Sequence, residues 1–320
     1  MDLQKESTIS RAERALALGS AQLLIETLPW IKESTGKVVV VKYGGAAMTD
    51  EKLRADVMSD IVLLKLIGLN PIIVHGGGND ITAYCKQFGL STEFKDGLRV
   101  TSPEVMDIVK MVLIGKVNQE LVSQLNLHGH LAVGLNGADG HTVTASQLSP
   151  EMGQAGVVKQ VDTTLLKDLI AAHYIPVIAS VAVGADGSSY NVNADITAGA
   201  IAAAIGAHKV IFLTDVDGMY RDFEDKSSLV SRMYLSDARA MLADETLSKG
   251  MIPKIQACVE ALSAGVARAH ILNGTLPHSL LLEIFTDEGV GTMILPDEAD
   301  EVPDDFVEYP AGDLASKLHG

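Results

Sequence analysis

Cysteine is scarce in this chain of 320 residues. Only Cys85 and Cys258 occur, far apart and in neither a CxxC nor a Cys/His spacing, which argues against a disulfide scaffold and a structural zinc site. Basic charge is scarce too: 25 Lys+Arg stand against 41 Asp+Glu, and the formal charge of −16 repels a nucleic-acid backbone and an anionic lipid surface alike. No run approaches the ~20 apolar residues of a membrane span. The start, Met1-Asp2-Leu3-Gln4-Lys5-Glu6, is charged where a secretory leader would be apolar. The expectation is a cytoplasmic protein that binds neither nucleic acid nor membrane. Neither the ordinary P-loop pattern nor the GxGxxG of dinucleotide sites occurs, and no Ser/His/Asp or Cys/His constellation stands out.

What is present is a large apolar share, 47%, and a repeating order of strand, glycine turn and helix. The length suits about two ordinary domains or one large sheet protein. Val38-Val39-Val40-Val41 is a continuous β-branched run, as buried parallel strands are, and Tyr43-Gly44-Gly45 follows it. The same order recurs with a helix over 51–67, the strand 71–74, the turn His75-Gly76-Gly77-Gly78 and a helix over 79–88. A long helix over 103–127 and a strand over 131–135 come next, then a β-hairpin excursion over 139–161 and a strand over 175–179. The second half repeats the grammar: a helix over 194–206, a strand over 210–213, helices near 235–244 and 252–264, a strand over 269–272, a helix over 278–285 and a last strand over 292–295. Such alternation predicts an α/β fold, a three-layer α/β/α sandwich on a mainly parallel sheet.

Residues 10–31 stand apart. Ser10-Arg11-Ala12-Glu13 forms a capping box, and Ala17, Ala21, Leu24, Leu28 and Ile31 recur at helical steps, with a kink expected at Gly19-Ser20 and a bend or end at Pro29. This helix packs on its own domain or serves as an arm toward another subunit. The segment after 297 is rich in Asp, Glu and Pro and is expected to be a mobile tail.

The residues with chemical potential lie at the turns. Glycines at strand ends let main-chain N–H groups approach an anion, or simply make a tight corner. Lys42 ends the valine run at the carboxyl edge of the sheet, where open α/β sheets place ligands, or else points into water. Lys254, in Gly250-Met251-Ile252-Pro253-Lys254, sits near a helix N-terminus, a position favourable to anions. Asp195, after Asn191-Val192-Asn193-Ala194, either caps a helix with Asn193 or orients lysines. Arg99, in Asp96-Gly97-Leu98-Arg99, is a surface arginine or a guanidinium fork for a small carboxylate.

Together these segments, with Leu213-Thr214-Asp215-Val216-Asp217-Gly218, resemble the amino-acid kinase family over about residues 36–295, and within it the members that phosphorylate the γ-carboxylate of N-acetyl-L-glutamate in arginine biosynthesis. The resemblance implies that Lys42 and Lys254 stabilise the phosphoryl group in flight and that Asp195 organises them. It assigns Gly77, Gly78, Arg99 and Asn191 to the acylated amino acid. Gly44, Gly45, Thr214 and Asp215 would face ATP, with Mg²⁺ held mainly by the nucleotide phosphates and no protein metal site. Asn79-Asp80 after the glycine triplet and Ile196 after Asp195 depart from the commonest pattern, at positions without an assigned role.

Arginine-inhibited members carry an N-terminal helix that interlaces dimers into a hexameric ring. By that resemblance residues 1–35 form an oligomerisation helix and the chain a homohexamer, a trimer of dimers. Residues 36–189 form the amino-acid and dimerisation lobe, 190–297 the ATP and arginine lobe, and 298–320 the tail. His270, Glu283 and the Gly289 backbone would contact arginine, and a nitrogen-signalling protein is a further partner to expect. The alternatives are another amino-acid kinase, acting on glutamate, aspartate or carbamate, or a non-catalytic arginine-sensing module; retention of both lysines argues against the latter.

Overall fold

The computed structural model describes residues 25–297, apart from 49, 223–224, 244–246, 249 and 287–288. Its central sheet has eight strands: β1 (Val38–Tyr43), β2 (Asn70–His75), β3 (Ala132–Asn136), β4 (Ile175–Ala179), β5 (Lys209–Thr214), β6 (Arg232–Tyr234), β7 (Arg268–Asn273) and β8 (Thr292–Leu295). Their spatial order is β6-β8-β7-β5-β1-β2-β4-β3, and every neighbouring pair is parallel except β7 with β8. Strands from before residue 189 make one half of the sheet and later strands the other. The chain therefore leaves β1 toward β2 on one side and returns to β5 on the other. That reversal opens a crevice at the carboxyl end of β1, the place where such sheets bind ligands.

Successive side chains of a strand point to opposite faces, and this alternation decides which helices each residue of β1 and β2 meets. Val39, Val41, Tyr43 and Ile73 enter the core beneath the helix Glu51–Leu66 and the long helical stretch Pro103–Asn126. Val40, Ile72 and Val74 enter the other core, beneath the helices Ala194–Ile205 and Ile252–Ser263. Lys42 has the parity of Val40, so it leaves the sheet toward those two helices. His75 has the parity of Ile73 and leaves toward the opposite layer. The three-layer α/β/α sandwich is thus present, with one antiparallel pair in a mainly parallel sheet.

Several elements differ from expectation. The helix expected over 103–127 runs from Pro103 to Asn126 but widens into a π-helix over Met111–Asn118. The expected hairpin, Val143–Gln147 with Ala155–Val161, is paired antiparallel, yet Val181–Val183 and Ser189–Val192 join it and close a four-stranded barrel. Val143–Gln147 alternates apolar and polar residues, but Ala155–Val161, Val181–Val183 and Ser189–Val192 keep no clear two-residue period to read. Most of the helix expected over 10–31, including Gly19-Ser20, lies outside the described residues, as does 298–320. Within its described part, Leu28–Ser34 is helical with Pro29 in the first turn. Ile25 and Glu26 are also helical and the chain turns at Thr27, so the break expected at Pro29 is present, with Pro29 in the first turn of the new helix, where no N–H is needed. No helix among the described residues is long and apolar enough to cross a membrane.

Candidate active site

The helix Ala194–Ile205 begins directly at the crevice. Asn193 caps it, its Oδ1 accepting the N–H groups of Asp195 (2.8 Å) and Ile196 (3.1 Å). Capping is therefore complete without Asp195, whose carboxylate is free to turn inward. Its Oδ1 lies 3.0 Å from Lys42 Nζ and its Oδ2 lies 3.0 Å from Lys254 Nζ. Lys42 and Asp195 are only 7% and 6% exposed. Burial by itself would raise the Asp195 pKa, but the two ammonium groups override it and hold the carboxylate below its usual range. One buried anion thus holds two cations side by side, and the cluster keeps a net charge of +1. Gly44 lies against this cluster: a Cβ there would stand 2.8 Å from Lys42 Nζ.

A cavity of about 230 Å³ opens beside Lys42 and Asp195, and Gly44, Gly45, Gly76, Gly77, Gly78, Arg99 and Asn191 line it too. Arg99 is not a surface arginine. It lies in the two-residue strand Leu98–Arg99, 6% exposed, with its guanidinium carbon 4.6 Å from the centre of the Phe94 ring. Its Nη2 donates to the Gly78 carbonyl (2.9 Å) and to Thr82 Oγ1 (2.8 Å). Nη1 is buried and has no hydrogen-bond partner among the described residues. An unpaired buried donor of a cation calls for an anion. Asn191 donates from Nδ2 to Thr101 Oγ1 at 3.1 Å, which fixes its amide at the cavity wall.

The amino acid kinase family model matches residues 37–273. The chain belongs to that family. Among its curated relatives, the acetylglutamate kinase of Bifidobacterium longum is 50% identical over 291 residues, covering 88% of this chain and 92% of that one. The acetylglutamate kinase of Caldanaerobacter subterraneus is likewise 50% identical, covering 86% of this chain and 92% of that protein. Among solved structures, the N-acetylglutamate synthase of Neisseria gonorrhoeae complexed with coenzyme A and N-acetyl-glutamate superposes with a TM-score of 0.77 at 25% identity. That match covers 87% of this chain but 63% of the synthase, so this chain spans less than two thirds of the synthase's length. Carbamate kinase from Giardia lamblia shares the fold, with a TM-score of 0.60 at 17% identity, covering 82% of this chain and all of that one.

The remaining site residues fall into two groups. Thr214 and Asp215 stand at the carboxyl end of β5, Thr214 Oγ1 3.1 Å from Asp215 Oδ1, and neither lines the cavity. His270, Glu283 and Gly289 come together away from it. Glu283 is buried rather than on the surface: its Oε1 accepts from His270 Nδ1 (2.7 Å), and its Oε2 accepts from the Val290 and Gly291 N–H groups (2.7 and 3.2 Å). Burial opposes its charge, but the His270 hydrogen bond and these amides hold its pKa below the usual value. Burial likewise lowers the His270 pKa, and His270 Nε2 is buried without a partner among the described residues. A Cβ on Gly289 would stand 2.6 Å from Glu283 Oε2.

Sequence reasoning did not single out His75 or Asn118 as functional. His75 Nδ1 lies 3.0 Å from the Gly76 carbonyl oxygen, and its Nε2 lies 3.0 Å from Asn118 Nδ2. His75 stood in the glycine-turn motif, but the partner that gives it meaning is in the π-helical segment, which no local pattern announces.

Proposed function

We propose that the protein transfers the γ-phosphoryl group of ATP to the γ-carboxylate of N-acetyl-L-glutamate, giving N-acetyl-L-glutamyl 5-phosphate and ADP, a step of arginine biosynthesis. The observation that carries this reading is the Asp195 carboxylate held 3.0 Å from both Lys42 and Lys254 at the crevice. Phosphoryl transfer asks a protein mainly for positioning and for positive charge around the equatorial oxygens. A carboxylate oxygen attacks phosphorus, the bond to the β,γ-bridging oxygen breaks, and ADP leaves. The attacking carboxylate is ionised at neutral pH, so no general base is needed. Lys42 and Lys254 face the charge that develops, while Asp195 keeps their mutual repulsion from parting them.

The relatives at about 50% identity supply the substrate. Arg99, with its unpaired Nη1, binds a carboxylate of the acylated amino acid, and Asn191 and the Gly77-Gly78 turn complete that pocket. Gly44, Gly45, Thr214 and Asp215 face the nucleotide. Among the described residues no group of three or more His, Cys, Asp or Glu could hold a metal. Mg²⁺ would be carried mainly by the nucleotide phosphates, as the resemblance implies, and would supply charge neutralisation there. ADP release with N-acetylglutamate, glutamate, aspartate and carbamate offered in parallel tests the assignment. Turnover of glutamate equal to that of N-acetylglutamate would overturn it.

Arginine as feedback inhibitor, and a hexamer joined by residues 1–35, belong to the same proposal. Glu283 offers a buried carboxylate, and a guanidinium that reached it would share oxygens now held by His270, Val290 and Gly291. Arginine shifts an equilibrium only by its differential affinity for two states. Deleting residues 1–26 is then expected to leave active dimers that respond weakly to arginine, whereas Glu283→Ala keeps the hexamer and loses inhibition. Light scattering with an arginine titration reads both. A truncated protein that stays hexameric and fully inhibited would refute the arm.

A further inference from the structure

The glycine turn after β2 is tied to a buried histidine by a geometry that leaves one protonation state. His75 is fully buried. A carbonyl oxygen only accepts, so the 3.0 Å contact with Gly76 requires a proton on His75 Nδ1. Asn118 Nδ2 lies 2.9 Å from the Val177 carbonyl and 3.0 Å from His75 Nε2. Flipping that amide would set its oxygen against the Val177 oxygen, so the Asn118 orientation is fixed and its second N–H points at His75 Nε2. Nε2 is then an acceptor, and the ring is the neutral Nδ1–H tautomer.

The consequence is felt one bond further on. No peptide bond is cis among the described residues. In a trans peptide the C=O and the N–H point in opposite directions. Holding the Gly76 carbonyl toward His75 therefore turns the Gly77 N–H away from the ring, and Gly76, Gly77 and Gly78 line the cavity with Lys42 and Asp195. Neither the Gly77 nor the Gly78 N–H has a hydrogen-bond partner among the described residues. Leu113 of the π-helical segment backs the turn, since a Cβ on Gly77 would stand 2.7 Å from its Cδ2.

We propose that His75 is a positioning residue for the phosphoryl transfer: its Nδ1–H locks the Gly76–Gly77 peptide, with Asn118 fixing the tautomer, so that the Gly77 N–H is aimed at the anionic groups that meet in the cavity. This rests on the kinase reading above. It adds a donor whose orientation is set before substrate arrives, the condition under which a main-chain N–H stabilises developing charge. The π-helix acquires a purpose, because it delivers Asn118 to the histidine and Leu113 to the glycine from one widened stretch.

Two substitutions separate the lock from mere packing. In His75→Asn the side-chain amide nitrogen can take the place of Nδ1 and still donate to Gly76. In His75→Gln the amide sits further out, near the place of Nε2, and meets Asn118 without reaching Gly76. The expected result is that His75→Asn keeps kcat within about threefold of wild type. His75→Gln should lose at least about tenfold in kcat, less than the roughly hundredfold or more of a donor removed outright, with KM for ATP unchanged and both variants melting at similar temperatures. Equal kcat in the two variants, or losses that simply follow melting temperature, would overturn the proposal. Ring-nitrogen NMR of the folded wild-type protein needs no variant: an Nε2–H tautomer at His75 would overturn it as well, and the Nδ1–H form supports it. Wild-type turnover of N-acetylglutamate is measured first, and its absence would remove the kinase reading, and the positioning role with it, before any variant is compared.

Discussion

A Cβ added to Gly199 would stand 2.9 Å from both the Cβ and the carbonyl oxygen of Ala257. Gly199 lies on the helix that begins next to Asp195, and Ala257 lies on the helix that carries Lys254 near its start. This close approach of two backbones sets the separation of the helices, and with it the 3.0 Å contact of Asp195 with Lys254. Small residues at the crossing thus bear on the aspartate–lysine contact although neither Gly199 nor Ala257 lines the cavity.

Gly199→Val is expected to lower kcat by at least about tenfold, since displacements near 1 Å cost that and more, and to destabilise the fold by roughly 1–3 kcal/mol through overpacking. Steady-state kinetics and thermal melts read the two effects. Full turnover in a destabilised protein would show that the helix spacing does not govern the aspartate–lysine contact.

Lys42→Ala and Lys254→Ala should each reduce turnover by about a hundredfold or more while the fold persists, the scale of losing one preorganised contact to the transition state. Lys42→Arg should recover little, because a guanidinium fork places its donors differently from an ammonium. Near-normal kcat in either alanine variant would take that lysine out of the transition state.

Arg99→Lys is expected to raise KM for N-acetylglutamate by about tenfold, as for the loss of one charge-assisted hydrogen bond, with a much smaller change in kcat. A lysine cannot hold Gly78 and Thr82 with one nitrogen and keep another unpaired, as the Arg99 fork does. An unchanged KM would mean that the unpaired Nη1 does not meet the substrate.

Stability should also depend on pH through His75. Burial lowers its pKa from 6.5 to about 4. As pH falls through 6.5 the unfolded chain gains a proton on this residue and the folded protein does not, so stability is greatest above 6.5 and declines until about 4. The full decline is roughly 3 kcal/mol. His75→Asn has no such proton to bind, so its unfolding free energy should fall less over the same range. Parallel pH dependences in the two proteins would contradict the neutral buried imidazole.

The sequence by itself determined the local order of this protein. Four valines ending in a lysine specify a buried parallel strand and Asn193 specifies where a helix starts, whereas the opposite faces of Lys42 and His75 follow only from the register in which β1 and β2 pair. The valine and asparagine signals are local, so one chain suffices to read them. Family resemblance supplied the pairing of Lys42 with Lys254, which no spacing in the sequence reveals. Other features were decided only in three dimensions. That Asp195 faces two lysines while Asn193 does the capping depends on how a helix lies across the sheet edge. That Glu283 is buried against His270 depends on strand β7 passing behind its helix. The barrel closes because strands from 143–161 and 181–192 find each other, although only Val143–Gln147 carries a clear period. The state of His75 is set by Asn118 and Val177, on two other elements, because a tautomer is chosen by the partners that surround a ring and not by the residues beside it in the chain.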